Sequence, residues 1–362
     1  MSLIRKNIQN LSPYIAGKPI EETKREFGLK KVIKLASNEN PFGPSPKAVA
    51  AIKKAANNVN RYPDSNCFYL KRKLAQEYKL VPENFVLGNG SDELIDVIVK
   101  TFVNEDENVV TSEQTFLEYE IIAKINNRDV ITVPLKNFKF DLTGIKNKIN
   151  AKTKLVFIAN PNNPTGTYVN KNELEVFLKG LPRNVIVVLD EAYDTFIDAR
   201  DYPRGVEYIN KENLIVLNTF SKGYGLSGLR LGCAILDKRL ALFMEKARQP
   251  FNVNSLAQTA ALAALNDKGF LKKTRNLTLL GKKFLYSAFR ELELPFVPSV
   301  ANFILVDVRR DCVCVFKDLL KQGVIVRDMK QYKLDTFVRV TIGTPEENNK
   351  FIKALKKVLA TE

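Results

Sequence analysis

Residues 155–166, LVFIANPNNPTG, and residues 185–193, VIVVLDEAY, each join a continuously apolar run to a polar segment. Runs that are apolar at every position are typical of strands buried on both faces of a parallel sheet. Helical patterns at Asp92–Phe102, Phe116–Ile125 and Lys171–Leu178 lie between these and other strand-like runs. This alternation predicts an α/β layer whose mostly parallel central sheet has about seven strands flanked by helices. The predicted strands are Asn84–Leu87, Asn108–Thr111, Val130–Pro134, Lys154–Ala159, Val185–Leu189, Leu214–Thr219 and Leu231–Leu236.

The pattern changes after Asn254. Long helical stretches at Ser255–Leu265 and Gly269–Leu292 lead into strand-like runs near Asn302–Val306 and Val338–Ile342. This change predicts a second, smaller α+β domain at the C-terminal end. We expect an N-terminal arm at 1–40 that joins the small domain, a large domain at 41–255 that holds the ligand site, and the small domain at 256–362.

The chain is strongly basic, because 56 Lys and Arg residues oppose 40 Asp and Glu residues in 362, a formal net charge of +16. The basic residues are dispersed along helical segments such as Lys47–Lys54 and Lys272–Lys283, which indicates solvated helix faces rather than a nucleic-acid surface. A positive protein also attracts anionic metabolites. No apolar stretch is long enough to span a bilayer, and the first residues lack the apolar core of a signal peptide. We therefore expect no nucleic-acid and no membrane partner.

Histidine is absent, which excludes imidazole metal ligands and every nucleophile activated by histidine. Proton transfer near neutral pH must then depend on Lys, Tyr, Cys or a carboxylate with a shifted pKa. The chain has four cysteines, Cys67, Cys233, Cys312 and Cys314. Four cysteines do not make a disulfide framework in a chain of this length, and Cys312 and Cys314 lack the second pair of ligands that a zinc site requires. We expect no metal site and a reducing, cytoplasmic compartment.

Residues 223–228, GYGLSG, match the dinucleotide-binding pattern G-x-G-x-x-G. That fingerprint requires a helix next and an acidic residue about 20 positions further on. Here LRLGCAIL follows, which is typical of another strand, and the nearest acid is Asp237. The context therefore excludes a Rossmann site.

Polar segments follow several predicted strands, and ligands of open α/β sheets bind where the carboxyl ends of the strands meet. GNGSDE (88–93) leads into a helix, so its backbone N–H groups are suited to a phosphate. A buried Asp190 requires a cationic partner, and desolvation of Lys222 would lower its pKa, as an amine that attacks carbonyls requires. Each segment alone is also compatible with an ordinary turn or helix cap. Together they predict a site for a phosphorylated heterocycle bound through a lysine, formed by Gly90, Ser91, Asp92, Asn163, Asp190, Ser221, Lys222 and Arg230.

The order and spacing of the motifs resemble those of fold-type-I pyridoxal-phosphate aminotransferases, and within that group those of the histidinol-phosphate aminotransferases. The motifs are LSPY (11–14), KLASNENPFGPSP (34–46), RYPD (61–64), GNGSDE (88–93), ANPNNPTG (159–166), LDEAY (189–193), TFSKGYGLSGLRLG (219–232), PFNVNSLAQ (250–258), ANF (301–303), GVIVRD (323–328) and RVTIGTPEEN (339–348). The resemblance implies pyridoxal 5'-phosphate as cofactor and a homodimer with shared active sites. It also implies reversible transamination of histidinol phosphate with 2-oxoglutarate to imidazole-acetol phosphate and glutamate, a step of histidine biosynthesis.

The resemblance also implies roles for individual residues. Lys222 matches the lysine that binds the cofactor and moves protons, and Asp190 matches the partner of the cofactor ring nitrogen. Asn163 and Tyr193 match the donors to the ring oxygen, and Phe116 matches the aromatic residue that stacks on the ring. Cofactor phosphate is assigned to Gly90, Ser91, Asp92, Ser221, Arg230 and, from the neighbouring subunit, Tyr62. Substrate is assigned to Tyr14, Asn38, Arg327 and Arg339, with Arg339 at a carboxylate and Arg327 with Tyr14 near a phosphate.

Substrate preference is the feature that the motifs constrain least. The stretch 328–338, DMKQYKLDTFV, departs from the family pattern with Gln331 and Lys333. Transamination of aromatic amino acids and decarboxylation of an amino-acid phosphate on the same fold are the alternatives. A cofactor-sensing transcription regulator is a further alternative, but the match begins by residue 11, which leaves no room for a helix-turn-helix before it.

Overall fold

The structure is a computed structural model that describes residues 3–9, 11–13, 15, 17–210 and 213–360. Its strands are β1 (Ile33–Lys34), β2 (Phe85–Gly88), β3 (Asn108–Ser112), β4 (Asp129–Val133), β5 (Thr153–Ala159), β6 (Ile186–Asp190), β7 (Leu214–Thr219), β8 (Gly232–Leu236), β9 (Phe296–Val297), β10 (Phe303–Asp307), β11 (Val324–Ile325), β12 (Arg327–Asp328) and β13 (Phe337–Thr341). Its helices are α1 (Lys6–Gln9), α2 (Ile20–Phe27), α3 (Pro46–Ala55), α4 (Phe68–Tyr78), α5 (Ser91–Phe102), α6 (Glu118–Ile125), α7 (Leu142–Lys148), α8 (Lys171–Lys179), α9 (Lys238–Ala247), α10 (Ser255–Leu265), α11 (Lys268–Glu291), α12 (Cys312–Lys321) and α13 (Pro345–Ala360). Within these described ranges, no helix is both long and apolar enough to cross a bilayer.

The central sheet contains seven of the described strands in the order β2-β8-β7-β6-β5-β3-β4. β8 runs antiparallel to β2 and β7, and the other neighbouring strands are parallel. One edge of the sheet therefore carries the carboxyl ends of six strands together with the amino end of β8. The seven predicted strands are confirmed, each within one residue at both ends, and so is the α/β fold class. The strand at 232–236 also agrees with the rejection of a Rossmann fingerprint at GYGLSG.

Sequence-local signals account for where the crossover helices begin. At α8, Asn170 Oδ1 accepts a hydrogen bond from the Glu173 backbone N–H at 3.0 Å, and the Glu173 carboxylate accepts from the Asn170 N–H at 2.7 Å. This reciprocal pair is a capping box, which satisfies two backbone donors that a helix start leaves unpaired. At α5, the helix begins directly after Gly90, so its first N–H groups face the carboxyl edge of the sheet.

Two large hydrophobic clusters divide the core. The first surrounds the central sheet and includes α10 residues such as Ala257 and Ala261. The second joins Leu35 to residues of α11, α12, α13, β10 and β13, and β1 pairs in parallel with β11. We propose a large and a small body along these clusters, with β1 in the small body and α10 in the large one. The sequence-based boundaries at 40 and 255 stay predictions.

Candidate active site

A cavity of about 460 Å³ lies at the carboxyl edge of the sheet, against β12 and β13 of the small body. Its volume is within the range of sites for small ligands. Most residues predicted from the sequence line this cavity, although they come from segments spread over 300 positions of the chain. Those that line it are Asn38, Ser91, Asp92, Phe116, Asn163, Asp190, Tyr193, Ser221, Lys222, Arg230, Arg327 and Arg339.

The turn between β2 and α5 forms a narrow cradle that only glycine permits. Gly90 has φ +89°, and a Cβ there would lie 2.6 Å from Arg230 Nη2. A Cβ on Gly232, at the start of β8, would lie 2.5 Å from the Ser91 backbone nitrogen. Arg230 donates to Ser221 Oγ at 3.4 Å and to Asp92 Oδ2 at 3.2 Å. A helix N-terminus beside a guanidinium and a hydroxyl is suited to a phosphate dianion.

Asp190 is the last residue of β6 and is buried at the sheet edge. Its Oδ1 accepts from the Ala192 N–H at 3.0 Å, and its Oδ2 accepts from the Tyr119 hydroxyl at 2.6 Å. Burial raises the pKa of Asp190 to about 6, and the hydrogen bond from Tyr119 is the largest opposing influence, with Lys222 contributing less. A buried carboxylate of this kind is stabilised by a cationic partner.

Lys222 follows β7 by three residues. Its Nζ donates to the Ser37 carbonyl at 3.0 Å and lies 5.8 Å from the centroid of the Tyr193 ring. Burial, together with the positive charges of Arg339 and Arg230, lowers the pKa of Lys222 to about 8, while Glu39 and Asp92 act in the opposite direction. A substantial neutral fraction near pH 7–8 makes this amine a nucleophile and a base.

Tyr193 and Asn163 each have one polar function already committed within the protein. The Tyr193 hydroxyl accepts from Asn38 Nδ2 at 2.9 Å, and burial raises the pKa of Tyr193, so the phenol keeps a proton to donate. Asn163 Oδ1 accepts from Arg339 Nη1, so its amide Nδ2 is the group that can donate to a ligand. Asn38 has φ +53° and is held by Thr341, whose hydroxyl accepts from its backbone N–H at 2.9 Å.

Arg327 and Arg339 are opposite each other on the antiparallel strands β12 and β13. Both are buried, with 7% and 6% of their surface exposed. Arg339 Nη2 donates to the Ala36 carbonyl at 2.6 Å, and within the described part of the chain its buried Nε has no hydrogen-bond acceptor. Arg327 Nη2 donates to the Ile15 carbonyl at 2.6 Å and to Gln331 Oε1 at 3.0 Å. Two fixed guanidinium charges at one wall of the cavity favour anionic ligands.

Of the predicted site residues that the structure describes, Tyr62 lies apart from the cavity. Tyr62 is 83% exposed, and its ring stacks on Phe251 with centroids 4.8 Å apart. Tyr14 is outside the described residues. Gly90 lies at the cradle but is not among the residues that line the cavity. Its role is to leave free the space that a side chain would fill.

Tyr119 and Ser37 contribute to the site without having been predicted. Tyr119 lies three residues after Phe116, and this spacing places both residues on one side of a helical turn. That spacing is a signal that sequence reasoning could have used once Phe116 was assigned to the cofactor. The Ser37 carbonyl contacts Lys222 across 185 positions, and no local pattern indicates such a contact.

This chain is an enzyme of the class I and class II aminotransferase family, to which it belongs through a match over residues 30–355. It is 48% identical over 358 residues to the histidinol-phosphate aminotransferase of Moorella thermoacetica, with 98% of this chain and 93% of that protein covered. It is 45% identical to the histidinol-phosphate aminotransferase of Caldicellulosiruptor saccharolyticus, with 99% and 100% covered. The crystal structure of the histidinol-phosphate aminotransferase from Sinorhizobium meliloti in complex with pyridoxal-5'-phosphate matches with a TM-score of 0.90 at 28% identity, over 99% of this chain and 98% of that one. The predicted family resemblance and the fold-type-I class are confirmed.

Proposed function

We propose that this aminotransferase uses pyridoxal 5'-phosphate to transfer an amino group between histidinol phosphate and 2-oxoglutarate, giving imidazole-acetol phosphate and glutamate. The observation that carries the proposal is one cavity that combines the Asp190–Lys222 pair with two buried arginines, Arg327 and Arg339. The relatives with this name, at 45–48% identity over nearly the whole chain, support it.

The residues present fit the cofactor. A Cβ would fill the cradle at Gly90 and Gly232, so a phosphate can approach the N–H groups at the start of α5 closely. When bound, pyridoxal 5'-phosphate supplies an aldehyde for amines and a ring that accepts electrons. Asp190 would then hold a proton on the ring nitrogen, and Lys222 would bind the aldehyde and act as a base. Tyr193 and Asn163 would donate hydrogen bonds to the ring oxygen, and Phe116 would cover the ring.

The arginine pair is suited to binding two substrates in turn at one site. The two substrates carry different anionic groups, but both react through an amine. Glutamate has two carboxylates, whereas histidinol phosphate has a phosphate and an imidazole. Arg339, whose buried Nε has no acceptor among the residues that the structure describes, is proposed to bind a substrate carboxylate, and Arg327 to bind the phosphate together with Tyr14. Guanidinium stays charged and matches both anions with paired hydrogen bonds.

A direct test compares imidazole-acetol phosphate with phenylpyruvate as amino acceptors, with glutamate as the donor. The proposal expects imidazole-acetol phosphate to have the higher kcat/KM and 2-oxoglutarate to be formed in equal amount. A preference for phenylpyruvate would instead show an aromatic aminotransferase. Release of carbon dioxide without consumption of an oxo acid would show a decarboxylase.

Arg327→Ala is expected to lower kcat/KM for histidinol phosphate by about one to two powers of ten, because a hydrogen bond to a charged group is worth roughly 1.5–3 kcal/mol. An unphosphorylated aromatic amino acid should lose much less, since it has no phosphate to pair with Arg327. Steady-state kinetics of wild type and variant with histidinol phosphate and phenylalanine measure this difference. Lys330→Ala removes an exposed cation that pairs with Asp335 at 3.2 Å, and it should leave both values nearly unchanged. Equal losses for the two substrates in Arg327→Ala would contradict the assignment.

We also propose a homodimer in which each active site takes Tyr62 from the partner subunit. Tyr62 and Phe251 form an exposed stacked pair, and two further aromatic residues nearby in the chain, Phe68 and Tyr69, are 51% and 72% exposed. Exposed aromatic side chains of this kind favour an interface with another protein surface. In a symmetric dimer the same residues of both subunits would cover each other.

Mixing variants tests the shared site. A purified heterodimer of Tyr62→Phe with Lys222→Ala is expected to have about half the wild-type activity, because one of its two sites has neither lesion. The matched control has both substitutions in one chain paired with a wild-type chain. A shared site places one lesion in each of its two sites, so its activity should be below that of the first heterodimer. The reverse order of the two activities would show that Tyr62 acts within its own subunit.

A cytoplasmic location is part of the same proposal. All four cysteines are free thiols, and Cys67, Cys233 and Cys312 are buried. Buried thiols without disulfides are typical of a reducing compartment.

A further inference from the structure

Tyr119 contacts the carboxylate that is proposed to face the cofactor ring. Its hydroxyl donates to Asp190 Oδ2 at 2.6 Å. The side chain is fully buried, and its ring stacks on Phe157 with centroids 4.8 Å apart and planes 6° apart. The same ring forms a T-shaped contact with Phe116, with centroids 5.5 Å apart. Packing on two sides therefore fixes the phenol while its hydroxyl meets Asp190.

The hydrogen bond from Tyr119 opposes the effect of burial on the charge of Asp190. Burial favours the neutral form of a carboxyl group, and a neutral Asp190 would have no charge to hold a proton on the ring nitrogen. A hydrogen bond from a donor that does not ionise favours the carboxylate instead. Burial raises the pKa of Tyr119 well above its usual value, so the phenol remains a donor throughout the physiological pH range.

We propose that Tyr119 is a positioning residue that keeps Asp190 ionised and oriented toward the cofactor ring. The inference rests on the proposed use of pyridoxal 5'-phosphate and adds to it a residue that does not itself need to touch substrate. Since Ala192 is the other donor to Asp190, Tyr119 is the side-chain hydroxyl whose removal should change the ionisation of Asp190 most.

Other titratable side chains also act on Asp190 and must be accounted for in a pH experiment. They are Asp92, Lys222, Glu191, Tyr193 and Tyr202. All of them remain in a Tyr119 variant, so their titration affects wild type and variant alike. The ratio of the two dissociation constants for the cofactor at each pH therefore isolates the contribution of Tyr119.

The experiment titrates apo-protein with pyridoxal 5'-phosphate between pH 6 and pH 9 and follows absorbance, for wild type and Tyr119→Phe. The variant should bind about tenfold more weakly at pH 6, because a hydrogen bond to a charged group is worth at least about this factor. The ratio should fall toward one by pH 9, where Asp190 is ionised with or without the phenol. A ratio that is the same at every pH, or equal to one throughout, would overturn the inference.

Tyr208→Phe is the matched control. Tyr208 is also a largely buried tyrosine, and its hydroxyl donates to the Glu175 carboxylate at 2.9 Å, but it does not line the cavity. The ratio for this control should stay near one between pH 6 and pH 9. A pH-dependent loss of the same size in Tyr208→Phe would overturn the inference.

Thermal unfolding of the apo-proteins checks that the variants fold. If Tyr119→Phe does not fold, Tyr119→Gln offers a neutral amide donor at the same position, and its ratio should vary with pH less than that of Tyr119→Leu. Equal pH dependence of the Gln and Leu variants would then contradict the inference. A wild-type protein that does not bind the cofactor at all would contradict the proposed function instead, so the two failures are distinguishable.

Discussion

Lys222→Ala is expected to lower kcat for transamination by at least about 10⁴-fold, because general-base catalysis alone contributes about 10²–10⁴ and the covalent attachment of the cofactor aldehyde to the protein is lost with it. The amine is buried three residues after the end of β7, and its Nζ is 3.0 Å from the Ser37 carbonyl. Within the cavity lining, Lys222 is the residue that supplies a primary amine. Lys222→Arg should lose as much, since a guanidinium keeps the charge but does not release a proton near neutral pH.

The measurement combines initial rates with reduction by borohydride and mass analysis of the protein. Wild type should carry a reduced cofactor on Lys222, and Lys222→Ala should carry none. Lys282→Ala is the matched control, because Lys282 is also buried with a pKa lowered by burial, but it pairs with Asp198 and neither residue lines the cavity. This control should retain both the adduct and most of the activity. A cofactor adduct that remains on Lys222→Ala after borohydride reduction would contradict the assignment of Lys222 as the attachment point.

The same lysine gives a pH dependence whose sign follows from its lowered pKa. Only the neutral amine attacks a carbonyl, and burial together with Arg339 lowers the pKa of Lys222 to about 8. The rate at which apo-protein binds the cofactor covalently should therefore rise as pH increases through about 8 and then level off. A midpoint near 10.5, the ordinary value for lysine, would show that the amine is solvated rather than buried.

The strands of the central sheet could be predicted from sequence because each depends on local information. LVFIA and VIVVL are apolar at every position, and the structure buries them in β5 and β6. The edge of the sheet at which Asp190 and Asn163 meet then follows from strand order, because parallel strands bring their carboxyl ends together. The phosphate cradle was predictable for the same reason, since GNGSDE joins a strand directly to a helix.

The remaining parts of the site depend on contacts between distant segments. Lys222 meets Ser37, and Arg327 meets Ile15 and Gln331, so both charged groups are held by the N-terminal region or by the loop after β12. Gln331, in the segment 328–338 that the sequence analysis singled out for substrate preference, contacts the arginine proposed to bind phosphate. Which substrate the cavity prefers therefore depends on packing that periodicity and spacing do not encode.

Asp190→Asn is expected to lower kcat/KM by about 10²–10⁴-fold, because removing one partner of a buried charge pair costs about 3–5 kcal/mol. Asparagine has the shape of aspartate, and its Oδ1 can accept from the Ala192 N–H while its Nδ2 donates to the Tyr119 hydroxyl oxygen, so the substitution removes the charge while leaving the packing. Steady-state kinetics and cofactor titration of the apo-protein measure the loss. The wild-type affinity should also fall as pH decreases through about 6, where Asp190 gains a proton, whereas the affinity of the variant should lack this step.

Asp194→Asn is the matched control, since burial raises the pKa of Asp194 to about 6 as well, but its carboxylate accepts from Thr195 and does not line the cavity. It should retain activity within about tenfold of wild type.

The same Asp190→Asn substitution should change stability in the opposite direction to activity. A folded-state pKa above the value of an unfolded aspartate means that ionised Asp190 destabilises the fold, and this effect is greatest above pH 6 and disappears as pH falls toward 4. Apo Asp190→Asn should therefore have a higher Tm than wild type at pH 8, with a smaller difference at pH 5. A variant that lost both activity and stability at pH 8 would show that Asp190 is a structural residue, whereas lost activity with gained stability is what a carboxylate kept for the cofactor requires.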